Sequence, residues 1–438
     1  MPTAARPLTP EIGKRVHEKA VSEYALVTRV ATIALSAILA CSCALNPDQR
    51  NHYRFSPSFA IEDPQFRRSL DNVGSVMVGG NSATVLENGD GVFGAILEDI
   101  RQARKSINIE VYIFKPDKAG RMFTDALIEA ARRGVTVRLL ADAQGSKLGP
   151  MRDELTEAGV HCRSYRPASE YAIYGRRTHR KIVVVDGTIA YTGGFCIDER
   201  WLGDARDKSE WHDSAARVTG PVVAQMQAIF SEDWTFTTGE ILAGDAFYPK
   251  LEATGTMQAQ AIKSSKGDAS SLPKMLYFMA IQAATKSIHI QNAYFLPDEQ
   301  IRTALVAAAG RGVDVRVLVP GPQNDVPLVR LASQHNYGEL LSAGIRIFEY
   351  QPTMLHDKNL VVDGVFSTIG SINVDVRSMS KNAEVSLSFY DREFAGLMEA
   401  MFARNLAGCR EITYAHWKKR GSTKRFAEMM SHLFEPYF

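Results

Sequence analysis

Two stretches of the chain carry the same reactive spacing. His179-Arg-Lys181-Ile-Val-Val-Val-Asp186 and His356-Asp-Lys358-Asn-Leu-Val-Val-Asp363 both read His-x-Lys-x-x-x-x-Asp, 177 residues apart. On a strand, residues i and i+2 share a face, so each histidine and its lysine point the same way. Two imidazoles and two ammonium groups converging on one point suit an anionic phosphoryl group. The lysines neutralise its oxygens, and the histidines divide the work of nucleophile and general acid. Asp186 and Asp363 are counted with the catalytic sets by motif, although their opposite strand parity gives each a structural part, pinning the turn that ends the strand. A histidine nucleophile also needs a carboxylate on its other ring nitrogen. Asp213, in Trp211-His212-Asp213, is expected to serve His179, and Glu384, in Lys381-Asn382-Ala383-Glu384, to serve His356. A metal held by these histidines and aspartates is disfavoured, because the lysines between them repel a cation.

The elements that must position these groups are themselves duplicated. ARKSINIEVYIFKPDKAGRMFTDALIEAARRGVTVRLLAD at 103–142 matches ATKSIHIQNAYFLPDEQIRTALVAAAGRGVDVRVLVP at 284–320. Each copy reads as a strand ending near Pro116-Asp117 or Pro297-Asp298, an amphipathic helix, then an almost wholly apolar strand from Val135 or Val313. A third block, Glu154 to Val160 against Glu339 to Ile345, ends a helix at a glycine and starts another short strand. This order predicts two similar α/β halves with right-handed crossovers in a parallel or mixed sheet, related by a pseudo-twofold axis, the site lying at their interface. We place an N-terminal segment and linker at 1–64 and the two domains at 65–245 and 246–438. The polar run at 264–271 reads as a surface loop.

Composition narrows the function classes. Among 438 residues, 45% are apolar and 23% charged, and 51 basic side chains face 49 acidic ones for a net charge of +2. That excludes wholesale disorder and a polytopic membrane protein, and it gives no general pull toward nucleic acid. Five scattered cysteines form no disulfide framework. Val30 to Leu45 is uncharged and follows Arg29, which reads as a targeting or anchoring segment too short for an easy membrane span. Ile38-Leu-Ala-Cys41 also has the form of a lipoprotein processing box. Near the other end, Lys418-Lys-Arg420 and Lys424-Arg425 lie among Trp417, Phe426 and Phe434. They read either as an interfacial patch for anionic lipid or as a solvated helix face.

After each motif comes a glycine-bearing loop. GVFSTIGSINVDVRS supplies Gly370, Ser371 and Asn373, whereas GTIAYTGGFCIDER supplies Gly193, Gly194 and Cys196. With these loops the chain resembles the phospholipase D superfamily, and within it the bacterial cardiolipin synthases. IEVYIFKPD at 109–117, QNAYFLPD at 291–298, HRKIVVVDGTIAYTGG at 179–194 and SINVDVRS at 371–378 carry the resemblance, which covers about residues 80–435. It implies one active site at the interface of two α/β domains, a covalent phosphohistidine, and no metal or other cofactor. Carried over by position, His179 is the nucleophile and His356 the general acid and base. Lys181, Lys358 and Asn373 bind phosphate with the surrounding Ser371, Gly194 and Cys196, and Asp213 and Glu384 orient the imidazoles. Cys196 departs from the asparagine common at that position, which weakens one phosphate contact. The implied activity is phosphatidyl transfer, making cardiolipin from phosphatidylglycerol at a bacterial membrane. The implied partners are anionic phospholipids and the membrane surface, with no nucleic acid. Water as acceptor would make the same machinery a hydrolytic phospholipase D, and DNA as substrate a nuclease.

Overall fold

The computed structural model describes residues 52–166, 177–264 and 271–435. Val30 to Leu45, with Cys41, lie outside the described residues, as does most of the polar run at 264–271. The first half contributes β1 (Val78–Glu87), β2 (Ser106–Val111), β3 (Thr136–Asp142), β4 (His161–Tyr165) and β5 (Ile182–Val185). It continues with β6 (Ile189–Gly193), β7 (Trp211–His212) and β8 (Ser214–Thr219). The second half gives β9 (Met257–Ser264), β10 (Ser287–Asn292), β11 (Asp314–Pro320), β12 (Arg346–Tyr350) and β13 (Met354–Leu355). Then follow β14 (Lys358–Val362), β15 (Phe366–Gly370), β16 (Glu384–Tyr390) and β17 (Cys409–Ile412).

Fifteen of these strands make one mixed sheet, ordered β17-β12-β11-β10-β14-β15-β16-β9-β1-β8-β6-β5-β2-β3-β4. Read outward from the antiparallel β1–β9 join, the two sides present equivalent strands in the same order, with β17 added at one edge. That is the duplication seen in the sequence, folded about a pseudo-twofold axis. Within each half the repeated strand–helix–strand unit is parallel, β2 to β3 and β10 to β11. The motif strands β5 and β14 run antiparallel to β2 and β10. The Pro-Asp dipeptides start the repeated helices, Lys118–Arg132 and Glu299–Gly310: Asp117 accepts from Gly120 N and Asp298 from Ile301 N.

The apolar runs after each lysine need both faces of the sheet covered, and both are. Val183 and Val185 face a core with Phe93, Phe123 and Leu127 on one side. Ile182 and Val184 enter a second core with Phe230 and Trp234, shared with Val361, Val385 and Leu387 of the other half. The halves therefore share a continuous apolar core under the join. Residues just before β1, read from sequence as the end of a linker and the start of the first domain, pack on the second half instead. Ile61, Phe66 and Leu70 are buried against its core, and Phe66 meets Phe366 edge-on at 5.9 Å.

Charges are buried at the same join. Arg180, fully buried, donates to Asp233 Oδ2 at 2.7 Å and to the carbonyl of Ser264 at 2.9 Å. The Glu110 carboxyl nearby is pushed well above its usual range, first by burial and then by the Asp233 charge. Removing Arg180 would leave Asp233 buried without its cation. Arg180→Ala is expected to cost about 3–5 kcal/mol of stability, read as a lower midpoint in chemical denaturation.

Candidate active site

Each motif histidine enters its strand through a short backbone pairing with the opposite half. Before His356, β13 pairs in parallel with β7, and His356 N donates to the carbonyl of His212 at 2.7 Å. Before His179, Thr178 bridges to Ala383, and His179 N donates to the carbonyl of Ala383 at 2.8 Å. These pairings set each histidine beside the residue that follows its partner backbone. His179 Nδ1 lies 2.9 Å from Glu384 Oε2, and His356 Nδ1 lies 2.8 Å from Asp213 Oδ2. The carboxylates expected from sequence are thus both present, but the assignment to histidines is crossed. Asp213 follows His179 by 34 residues and Glu384 follows His356 by 28, so spacing along either half cannot tell a partner within the half from one across it.

The crossed pairs set the protonation. Burial pulls the His179 imidazole down to about 4 against the opposing pull of Glu384, with Lys181 adding to the fall. Burial also holds His356 well below its usual value, with the charges of Lys358 and Lys181 next. Burial works to raise Glu384, but the charge and hydrogen bond of His179 hold it below the ordinary range. At neutral pH the free enzyme therefore presents His179 with Nδ1–H directed to Glu384 and a free lone pair on Nε2.

Lys181 and Lys358 are buried beneath the histidines. Lys181 Nζ donates to the carbonyl of His179 at 2.7 Å, and Lys358 Nζ lies 2.8 Å from His356 Nδ1. Burial lowers Lys358 to about 8 against the pull of Asp213, so it is charged below that pH and neutral above it. Between pH 7 and 9 its charged fraction falls about tenfold. Affinity for glycerophosphoglycerol, a soluble phosphodiester of constant charge, is expected to fall across this range, with the cavity-wall Asp375, pushed up to about 7, adding to the fall as it ionises, as calorimetry would measure.

Both histidines line one cavity of about 330 Å³, so the two motifs make a single site. Of the six residues expected to bind phosphate, Asn373 and Cys196 are on its wall, while the two lysines lie behind it, against the histidines. Ser371 and Gly194 instead stand behind the carboxylates. Ser371 Oγ donates to Glu384 Oε2 at 2.5 Å. A Cβ on Gly194 would come within 2.3 Å of Asp213 Oδ1 and 2.7 Å of the His356 carbonyl, so only glycine lets the crossed pair close here. Trp201 Nε1 supplies Asp213 with the donor that Ser371 gives Glu384, at 2.7 Å. Burial raises the Cys196 thiol, which keeps it neutral beside the lysines.

Asp186 and Asp363 contact neither histidine and spend their carboxylates on backbone N–H groups, so counting them with the catalytic sets is corrected. Each begins an Asp-Gly turn with positive φ at both residues, 54° and 66° in the first, 52° and 62° in the second. Their carboxylates accept backbone N–H groups at the start of a neighbouring strand, from Arg104, Lys105 and Ser106 and from Thr285, Lys286 and Ser287. They fix the far end of each motif hairpin, as their strand parity implies.

Sequence reasoning missed much of the wall. Tyr112 packs edge-on to His179 at 5.1 Å, and the Trp201 and Trp211 rings lie 5.0 and 5.1 Å from His356. Arg177, Arg377 and Asp375 also line the cavity. The middle residue of each His-x-Lys triplet carried a readable signal. It points to the opposite strand face, and a charge there inside an apolar run demands a buried partner. Arg180 has Asp233, and Asp357 Oδ2 accepts from His212 Nδ1 at 2.8 Å across the halves. His289, which does not line the cavity, lies 2.5 Å from Glu399 and stacks on Phe402.

The sequence matches the family model for the cardiolipin synthase PLD-like domain in two segments, residues 96–234 and 277–406. It is 36% identical over 363 residues to a probable cardiolipin synthase of Bacillus subtilis, covering 80% of this chain and 71% of that protein. A cardiolipin synthase of Staphylococcus aureus is 33% identical over 378 residues, covering 84% of this chain and 76% of that one. Among solved structures, phosphatidylserine synthase of Haemophilus influenzae aligns with a TM-score of 0.66 at 13% identity, over 86% of this chain and 100% of that chain. That likeness carries the fold alone. A shared cavity built from two duplicated halves and the match of both segments agree: the chain belongs to the cardiolipin synthase family of phospholipase D-like proteins.

Proposed function

We propose that this enzyme transfers a phosphatidyl group from one phosphatidylglycerol to a second, releasing glycerol and forming cardiolipin. The observation that carries the reading is the pair of crossed histidine–carboxylate contacts on one cavity, underlain by two buried lysines. His179 Nε2 attacks phosphorus, the bond from phosphorus to the glycerol oxygen breaks, and His356 gives that oxygen its proton. Burial holds His356 low, with the charges of Lys358 and Lys181 next; the substrate's negative charge offsets those lysine charges, which favours gain of the proton as substrate binds. In the second half-reaction His356 takes a proton from the hydroxyl of the acceptor lipid. That oxygen displaces His179 from phosphorus, restoring both imidazoles.

The reading extends to a membrane surface. Among the described residues no helix is long and apolar enough to cross a membrane. The helix Ser422–His432 exposes Phe426 and Met429, followed by Leu433, at positions three and four apart along one face. Lys424 and Arg425 lie beside them and are exposed, as an interfacial helix on anionic lipid requires. Attachment through Val30 to Leu45 belongs to the same reading, with lipid modification of Cys41 its more specific form.

The test is product analysis with labelled phosphatidylglycerol in detergent, in excess chelator. Cardiolipin and glycerol are expected in equal amounts, because the lysines supply the positive charge at phosphorus. Phosphatidic acid as the sole lipid product would replace transfer by hydrolysis, and loss of all turnover in chelator would remove the metal-free mechanism.

A further inference from the structure

A second cavity, of about 140 Å³, lies beside the β12–β17 edge of the sheet and shares no lining residue with the active site. The helices Tyr414–Lys418 and Ser422–His432, with the turn between them, form part of its wall. Its carboxylates already meet arginines. Glu349 is buried and accepts from Arg330 at 2.5 Å on one oxygen and from Arg410 at 2.7 Å on the other. Glu428 is buried too, and its Oε2 accepts from Arg420 Nε at 2.7 Å. Lys419 and Lys424 line the cavity outside these pairs. Both are exposed, and neither forms an ion pair with a carboxylate among the described residues. The lining cations Arg410, Lys419, Arg420 and Lys424 thus outnumber the lining carboxylates Glu349 and Glu428.

The same wall carries two buried acceptors without donors. Gln334, from the helix Pro327–Ser342, donates through Nε2 to Glu349 Oε1 at 3.0 Å. A carboxylate only accepts, so this bond fixes the orientation of the amide and leaves Oε1 as the acceptor. Gln334 Oε1 and Glu428 Oε1 are both buried and accept no hydrogen bond among the described residues. Buried acceptors are nearly always met, so this pair calls for hydroxyl donors from a ligand. An ammonium donor is disfavoured, because arginines already balance both carboxylates and the two lysines repel a further cation.

We propose that this cavity binds a phosphate ester carrying free hydroxyls, of the size of a glycerol phosphate group. Lys419 and Lys424 hold the phosphate as point charges, and Gln334 and Glu428 accept from the hydroxyls. The same chemistry is offered by the headgroup of an anionic phospholipid and by a free glycerol phosphate. The site stands apart from the histidines and does not depend on the reaction proposed above. Its occupant ties the C-terminal helices to the helix Pro327–Ser342, whose first turn reaches the active-site wall at Val329.

Equilibrium dialysis of the full-length protein with labelled glycerol 3-phosphate tests the site. The double variant Lys419→Gln/Lys424→Gln is expected to weaken one class of binding site by about tenfold or more, and unchanged binding overturns the proposal. Lys418→Gln/Arg425→Gln removes the same charge from neighbouring residues that do not line the cavity. It is expected to bind as the natural protein does. Equal weakening in both double variants would mean a diffuse basic surface and would overturn the cavity as the site. All four side chains are exposed, so these exchanges leave the fold intact, and binding at the active site is common to both variants. Phosphoethanolamine is expected to bind the second site about tenfold more weakly than glycerol 3-phosphate; equal or tighter binding overturns the hydroxyl assignment. Short-chain phosphatidylglycerol, added to His179→Ala so that it is not consumed, separates the two sources. Displacement of the labelled ester from the second site supports a lipid headgroup as its occupant, and retention of the ester supports the free glycerol phosphate.

Discussion

Replacing His179 with alanine is expected to abolish the phosphatidyl-enzyme altogether. The side chain is only partly buried, at 12% exposed, and its lone pair is free because burial holds the imidazole near 4. Among the described residues the other imidazole on the cavity wall, His356, is also held low but is more enclosed, its side chain 6% exposed. His356 packs against the adjoining Trp201 and Trp211 rings and lies against Lys358, a setting for passing a proton to and from oxygen. Rapid quench with labelled phosphatidylglycerol should trap an adduct that is labile to acid and stable to base, as a phosphoramidate is. The variant should form none, with turnover down by roughly 10⁶. His356→Ala should still form it slowly from a substrate whose leaving group needs no proton. An adduct that maps to His356 and persists in His179→Ala would reverse the two roles.

The fold was legible because its evidence is local and repeated. Strand period, Pro-Asp helix starts and glycine stops depend on neighbours in the chain, and each appears twice. The apolar runs of β5 and β14 were readable as strands covered on both faces, and Val183 and Val184 enter different cores as that requires. The reactive side chains were legible for the same reason, through their duplicated spacing. What spacing could not carry was the relation between the halves. The β13–β7 pairing and the Thr178–Ala383 bridge join residues more than a hundred positions apart, and they decide which carboxylate meets which histidine. The aromatic and arginine wall was hidden for a related reason. Tyr112, Trp201 and Arg377 belong to separate loops and elements, and nothing in their own neighbourhoods distinguishes a cavity wall from a packed surface. The charged middle residues Arg180 and Asp357 were the one unread signal, since each predicts a buried partner across a strand face.

The crossing makes a kinetic prediction that pairing within each half does not. Glu384 holds the nucleophile, so Glu384→Gln should slow the formation of the phosphatidyl-enzyme itself. The amide can still meet Nδ1, but it no longer fixes the tautomer or stabilises the charge that develops on His179 as phosphorus is attacked. Asp213 holds His356, so Asp213→Asn should slow protonation of the leaving glycerol and deprotonation of the acceptor. Each change is expected to cost about 10²–10⁴ in turnover of phosphatidylglycerol. An activated donor with a nitrophenol leaving group separates them, because that group departs without a proton. The first half-reaction of Asp213→Asn should recover on this donor to near the natural rate, whereas that of Glu384→Gln should stay slow. Pairing within each half requires the opposite, with Glu384→Gln rescued and Asp213→Asn not. Equal rescue of both would mean that neither carboxylate acts through a single histidine, and the Ser371 and Trp201 donors behind them would then be the groups to exchange. Both carboxylates are fully or almost fully buried, at 0% and 1% exposed, so thermal denaturation of each variant belongs beside the rates. Loss of folded enzyme lowers burst amplitude, whereas loss of orientation lowers the rate constant, and the two are read separately from one trace.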